Sequence, residues 1–149
     1  VMKPDINIAL LNAAQEIINR FSPLLDDEYE KSRLSSWGAI ILISAMKFND
    51  SSSSLKQENA DILDWLLKFT NLDEDDISEY GYEVTSEIQD ISLMDTDNQI
   101  LRGLLDRQMI VLEGNGDTEG LKASYTLMRA MHGRRKVSDL VGLLQQSES

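Results

Sequence analysis

Apolar residues recur three and four positions apart along most of the chain, and no segment alternates apolar and polar residues as a half-buried strand does. This spacing places apolar side chains on one face of an α-helix. The periodic segments are 6–21, 37–48, 55–69, 74–91, 95–112, 118–132 and 137–146. We therefore predict an all-α fold, a single compact domain over 1–149 of about six to eight helices in an orthogonal or bundle-like arrangement. The ends 1–4 and 146–149 are expected to fray.

Polar residues and glycines predict where the helices end. The run 49–54 has the composition of a loop, and Ser54 is expected to cap the helix that follows it. Gly133 is expected to close the helix before it, because glycine readily adopts the left-handed conformation of a helix C-terminus. Trp37 and Trp65 each lie in an apolar face, so both are expected in the core.

The composition excludes several classes of site. The chain has no cysteine, which excludes disulfides, cysteine-ligated zinc, iron–sulfur clusters and cysteine nucleophiles. Its one histidine, His132, excludes multi-histidine metal sites. No signal-peptide pattern opens the sequence, and the longest apolar run, 37–46, is about half of what a membrane span needs. We expect a soluble, cytoplasmic protein with no membrane contact and no cofactor.

Charge is distributed unevenly along the chain. The formal net charge is −12, which disfavours a protein that coats nucleic acid. Residues 1–98 carry 7 basic and 20 acidic side chains, a net charge of −13, whereas residues 99–149 carry 7 basic and 6 acidic side chains, a net charge of +1. The acidic and basic parts of two copies could attract each other and build a head-to-tail homo-oligomer.

The acidic segment 73–97 is the leading candidate for a docking surface, because it contains ten acidic residues and no basic one. If 74–91 is one helix, several of these carboxylates share a stripe that would attract and orient a basic partner. Tyr82 lies among them and is a candidate anchor, since tyrosine is enriched at binding hot spots. The alternative is a solvated face that keeps the protein soluble. The predicted partner-binding residues are Asp76, Glu79, Tyr82, Glu83, Glu87 and Asp90.

A basic cluster near the C-terminus is a second candidate site. Its four cations could hold a phosphate or RNA locally, despite the negative net charge. The alternative is that they complement the negative end of a helix dipole. The cluster comprises Arg129, Arg134, Arg135 and Lys136.

One pair of carboxylates has the spacing of a metal site. Glu58 and Asp61 stand at positions i and i+3 of a predicted helix, so they share a face and together could hold Mg²⁺ with substrate phosphates. The fragment resembles the ExxD helix of the all-α NTP pyrophosphatases, the group that includes MazG and the dimeric dUTPases. The resemblance implies a second acidic helix upstream of the form EExxE, to which Asp26-Asp27-x-x-Glu30 is the nearest match. It implies Mg²⁺-dependent hydrolysis of a nucleotide pyrophosphate, with Asp27, Glu30, Glu58 and Asp61 as the site.

The leading hypothesis is a non-enzymatic protein–protein interaction module, an acidic intracellular adaptor, regulator or inhibitor that docks a basic partner surface through 73–97. The pyrophosphatase-like enzyme and the RNA or phosphate contact through the C-terminal cluster are the alternatives. The three hypotheses predict different geometries. The four carboxylates of a metal site must lie close together, whereas the residues that bind a protein or a phosphate must be exposed.

Overall fold

The computed structural model describes residues 5–82 and 90–137, apart from the side chain of Asn49. Every regular element in these residues is helical, which confirms the all-α fold. The α-helices are α1 (Ile6–Glu16), α2 (Glu28–Phe69), α3 (Glu74–Glu79), α4 (Ile91–Asn115) and α5 (Thr118–Arg135). A π-helical turn over Ile17–Phe21 and a 3₁₀ turn over Ser22–Leu24 follow α1. None of the described helices is both long and apolar enough to cross a membrane.

The described residues form two compact units. Unit 1 contains those up to Ser51 and those after Arg135, and unit 2 is Ser52–Arg135. Helix α2 contributes residues to both units. A single domain over 1–149 stays a prediction.

In unit 1 the N-terminal segment packs closely against α2. Gly38 is buried, and a Cβ at this position would lie 2.6 Å from Cγ1 of Ile18 and 3.0 Å from Cγ2 of Ile17. The buried Ser22 hydroxyl donates to the carbonyl of Lys31 at 2.9 Å. The lack of a side chain at Gly38 therefore lets the π-helical turn approach the backbone of α2.

Unit 2 has an apolar core to which α2, α3, α4 and α5 all contribute. Trp65 is 5% exposed, as predicted, and its indole Nε1 donates to the carbonyl of Gly120 at 3.3 Å. A Cβ at Gly120 would lie 2.8 Å from Cδ1 of Leu112, so a larger residue here would displace the end of the Leu112 side chain. The buried core residues are Ile62, Trp65, Leu66, Ile77, Leu101, Leu104, Leu105, Leu112, Leu127 and Met131.

Two predicted helix ends are wrong. Residues 49–54 are helical within α2 rather than a loop. Serine hydroxyls in a helix can bond back to the preceding turn, as Ser51 does to the carbonyl of Phe48 at 3.0 Å. Gly133 lies inside α5, which continues to Arg135. The guanidinium of Arg135 binds the buried carboxylate of Glu58. The predicted helix 137–146 lies outside the described residues except for its first position.

The predicted helix 74–91 is also wrong. Helix α3 ends at Glu79, and Gly81 has a φ of 89°, in the left-handed region that breaks a helix. Helix α4 then begins at Ile91, earlier than the predicted start at 95, with Asp90 as its N-cap. The described acidic residues of 73–82 and 90–97 therefore do not share the face of one helix.

Candidate functional site

A polar network is buried in unit 2, where α2, α4 and α5 meet. The Glu58 carboxylate is almost fully buried and pairs with the guanidinium of Arg135. Asn98 Nδ2 donates to Glu58 Oε1 at 3.0 Å and to Asn59 Oδ1 at 2.8 Å, and Asn98 Oδ1 accepts from Arg135 at 3.1 Å. Asn59 in turn donates to the carbonyl of Met94 at 2.9 Å. The network links three helices through groups whose burial would otherwise be costly.

A second ion pair lies one helical turn further along α2. The guanidinium of Arg134 pairs with the carboxylate of Asp61, which also accepts a hydrogen bond of 2.8 Å from Gln57. Burial opposes ionisation of Asp61, but the hydrogen bonds and the positive charge of Arg134 outweigh it. The pKa of Asp61 is therefore held below its ordinary value.

These pairs change the interpretation of the ExxD motif. Glu58 and Asp61 do share a face of α2, as predicted, but each is bound to an arginine rather than open to a metal. Within 5–82 and 90–137, no three Asp, Glu or His side chains lie close enough together to hold a metal ion. The described residues therefore do not assemble the four-carboxylate site implied by the resemblance, which comprises Asp27, Glu30, Glu58 and Asp61.

The upstream carboxylates have local roles in unit 1. Asp27 Oδ1 accepts from the backbone N–H groups of Tyr29 (2.8 Å) and Glu30 (3.1 Å), so it caps the start of α2. Glu30 forms an exposed ion pair with Arg33 at 3.8 Å. The described contacts of Asp27 and Glu30 are therefore a helix cap and a surface ion pair.

The basic cluster is divided by the same contacts. Arg134 and Arg135 are engaged by Asp61 and Glu58, so the cluster does not present four cations to a phosphate as the sequence suggested. Arg129 lies exposed on the opposite side of α5, and Lys136 is exposed just after that helix ends.

The described members of the predicted docking surface in 73–97 differ in how far their carboxylates are already hydrogen-bonded. Asp76 and Asp73 form a capping box at the start of α3, with hydrogen bonds of 2.9 and 3.0 Å. Asp90 Oδ1 accepts from the backbone and the hydroxyl of Ser92, and these hydrogen bonds lower the pKa of Asp90. Glu79 is exposed at the last position of α3. Glu83 and Glu87 lie outside the described residues.

Tyr82 is not the exposed anchor that the sequence suggested. It packs half-buried against the core of unit 2, whereas Tyr80 is 49% exposed. Burial and then the negative charges of Asp97 and Glu74 raise the pKa of Tyr82. Since the left-handed Gly81 separates the two tyrosines, their exposure does not follow from helix spacing.

An exposed aromatic surface on α2 was missed at the sequence level. Tyr29, Trp37 and Ile40 are 72%, 57% and 53% exposed, so the predicted burial of Trp37 is wrong. Arg33 lies on the same face of the helix, and a shallow depression of about 280 Å³ runs along it. We call Tyr29, Arg33, Trp37 and Ile40 the α2 stripe.

Helix spacing could have revealed the α2 stripe. Residues Leu34, Gly38 and Ala45 fall on one side of α2 and are at least partly buried, with Gly38 against the π-helical turn. Trp37 lies about 100° away from Gly38 around the helix, and Ile40 lies on the same outer side. The apolar run 37–46 hid this division because both sides of the helix are apolar there.

A second exposed surface lies on α5 in unit 2. Tyr125 and Met128 are 52% and 43% exposed and line a shallow depression of about 380 Å³ with Arg129 and His132. Lys122 is exposed about two turns before Arg129. We call Lys122, Tyr125, Met128, Arg129 and His132 the α5 face.

No protein-family model matches the chain, and no curated protein or solved structure is significantly similar to it.

Proposed function

We propose that the protein is a non-enzymatic protein–protein interaction module that binds a partner with a basic, partly apolar surface. The α2 stripe is the observation that carries the proposal. Moving large apolar side chains out of water lowers the free energy of the system, so exposed clusters of them mark interaction sites.

The chemistry of the α2 stripe is that of an interface centre. Trp, Tyr and Arg are the residues most enriched among binding hot spots, and the stripe contains one of each. Its members stand at positions i, i+4, i+8 and i+11 of one helix, a length of about 16 Å. This length and spacing fit a partner helix that lies along α2 and inserts its own apolar residues between Tyr29, Trp37 and Ile40.

The charge around the stripe favours a basic partner. The segment that leads into α2 is acidic, with exposed Asp26, Asp27, Glu28 and Glu30, and the whole chain has a net charge of −12. Asp27 also caps α2, and Glu28 and Glu30 form exposed ion pairs, but all four carboxylates remain at the surface. Complementary charge on the partner would speed encounter and fix its orientation. The proposed acidic contribution thus comes from the start of α2 rather than from the six residues predicted within 73–97.

Trp37 provides a direct test. It is exposed while Trp65 is buried, so a partner that covers the α2 stripe should shift the emission of Trp37 to shorter wavelength. We would titrate the protein with a synthetic amphipathic helix of leucine and lysine, and with the same helix carrying glutamate in place of lysine. A saturable shift is expected with the lysine peptide alone, and Trp37→Phe should remove it.

A matched pair of isoleucine variants locates the site. Ile40 and Ile110 are both exposed on helices, but only Ile40 belongs to the stripe. Ile40→Ser should weaken binding of the lysine peptide about tenfold, the effect of losing one buried apolar side chain. Ile110→Ser should leave it unchanged. Equal effects of the two substitutions, or no saturable shift, would contradict the proposal.

A further inference from the structure

The outer side of α5 differs from the rest of this acidic chain. The inner side of the helix is buried through Gly120, Ser124, Leu127 and Met131. The α5 face occupies the opposite side and carries Lys122, Arg129 and His132 but no carboxylate, although the chain has 26 acidic residues. We propose that the α5 face is a second docking surface, which binds an acidic amphipathic segment of a partner protein.

The cations of the α5 face are available to a partner. In the described part of the chain, no ion pair or hydrogen bond engages the Lys122 ammonium or the Arg129 guanidinium, although the Lys122 carbonyl accepts from the Thr126 hydroxyl. Arg134 and Arg135, by contrast, are held by Asp61 and Glu58. The cations of α5 therefore have two different roles. Arg134 and Arg135 form ion pairs within unit 2, whereas Lys122 and Arg129 on the outer face can attract carboxylates of a partner.

The apolar part of the face requires an amphipathic occupant. Tyr125 and Met128 lie beside Arg129 and His132 around one depression, so a bound segment must offer apolar side chains as well as carboxylates. Met128 suits this role because its flexible, polarisable side chain adapts to different partners. Tyr125 adds a rigid aromatic surface with a hydroxyl at its edge.

An acidic peptide fits this surface better than a nucleic acid does. A polyphosphate gains affinity from each cation that it meets, and the α5 face offers it only Lys122 and Arg129 besides His132. Met128 would add nothing to a phosphate backbone. An acidic helix with leucine at one side satisfies both the charged and the apolar half of the face.

The experiment uses the full chain and three labelled probes in fluorescence anisotropy. The first is a helical peptide of about four turns with leucine at i, i+3 and i+7, about three glutamates beside them and alanine elsewhere. The second has lysine in place of glutamate, and the third is a short oligouridine. At physiological ionic strength, where charges more than about 8 Å apart are screened, we expect the glutamate peptide to bind and the oligouridine not to bind.

Two variants and two controls locate the binding. Arg129→Glu should weaken the glutamate peptide at least tenfold, whereas Arg102→Glu, the same charge change at an exposed position of α4, should have no effect. Met128→Ser should also weaken it, in a manner independent of salt. Ile40→Ser should leave it unchanged, because the α2 stripe is a separate surface.

Several outcomes would overturn the proposal. Equal effects of Arg129→Glu and Arg102→Glu would show long-range charge alone, and tighter binding of oligouridine would assign the face to nucleic acid. Sedimentation of the protein without any probe provides a further check. If it self-associates and Arg129→Glu dissociates it, the occupant is a second copy of this chain rather than another protein.

Discussion

Asn98 donates a hydrogen bond of 3.0 Å to the carboxylate of Glu58, although 40 residues separate them along the chain. The same amide nitrogen reaches Asn59, and its oxygen accepts from Arg135. A single side chain on α4 thus orients an acid from α2 and a cation from α5. Because an unsatisfied buried polar group costs free energy, we infer that Asn98 fixes how these helices pack within unit 2.

Asn98→Ala should therefore destabilise the protein strongly. The substitution removes the hydrogen bonds that Asn98 makes to Glu58, Asn59 and Arg135 in a buried site, at a cost of about 2–4 kcal/mol in the free energy of unfolding. Gln99→Ala is the matched control, since Gln99 is adjacent but exposed and its side chain donates to the exposed Asp95. Urea denaturation should show a change within about 0.5 kcal/mol for the control. Similar losses for both variants would remove Asn98 from this role.

Arg134→Gln should raise the pKa of Asp61. The folded pKa of Asp61 lies below its unfolded value, so its contribution to stability is present above the unfolded value and is lost as the pH falls through the folded pKa. The variant should lose about 1 kcal/mol or less near neutral pH, and the difference from wild type should vanish in acid. Carboxyl NMR titration measures the pKa directly. Arg102→Gln, which removes a charge elsewhere on unit 2, should leave the Asp61 titration unchanged.

Local patterns were predictable and long-range pairings were not. The helical period identified the all-α fold and the burial of Trp65, because both follow from residues a few positions apart. The sequence also singled out Glu58 and Arg135, but as parts of two separate sites. Their pairing spans 77 residues and depends on how α2 and α5 pack in unit 2, which no local spacing encodes.

The acidic segment illustrates a different failure. The composition of 73–97 shows that the segment is acidic, but it does not show which carboxylates already accept hydrogen bonds from the protein. Asp76 and Asp90 help to cap the N-termini of α3 and α4, a role that short-range capping patterns could have indicated. The exposure of Tyr80 rather than Tyr82 depends on the turn at Gly81, whose left-handed conformation replaces the expected helix.

Asp97→Asn should lower the pKa of Tyr82. Burial raises this pKa most, and the negative charge of Asp97 raises it further, so neutralising that charge removes part of the shift. A raised folded pKa means that the stabilising contribution is present below the unfolded value and is lost as the pH rises through the folded pKa. Tyrosinate absorbance, taken as the difference from Tyr82→Phe, follows this residue alone. Asp95→Asn on the same helix is the control, and an equal shift there would contradict the assignment.

Gly38→Ala should destabilise unit 1. Its Cβ would lie 2.6 Å from Cγ1 of Ile18, so either the Ile18 side chain or the π-helical turn that carries it must shift, at a cost of about 1–3 kcal/mol. Gly103→Ala is the matched control, because Gly103 lies inside α4 with no atom within 4 Å of the added Cβ. There the higher helix propensity of alanine should stabilise the protein by about 0.5–1 kcal/mol. Thermal unfolding followed by circular dichroism should show shifts of opposite sign.

Ser54→Ala distinguishes the helix from the predicted loop. If residues 49–54 were a loop and Ser54 capped the next helix, alanine would remove the cap and cost about 1 kcal/mol. In the structure Ser54 lies inside α2, where alanine has the higher helix propensity and should stabilise by up to about 0.5 kcal/mol. Ser92→Ala at the start of α4 is the control, since its hydroxyl bonds to the capping Asp90 at 2.7 Å and its removal should destabilise. The sign of the change in the denaturation midpoint of Ser54→Ala distinguishes a continuous α2 from a loop over 49–54. A loss of stability as large as that of Ser92→Ala would mean that α2 is interrupted at Ser54.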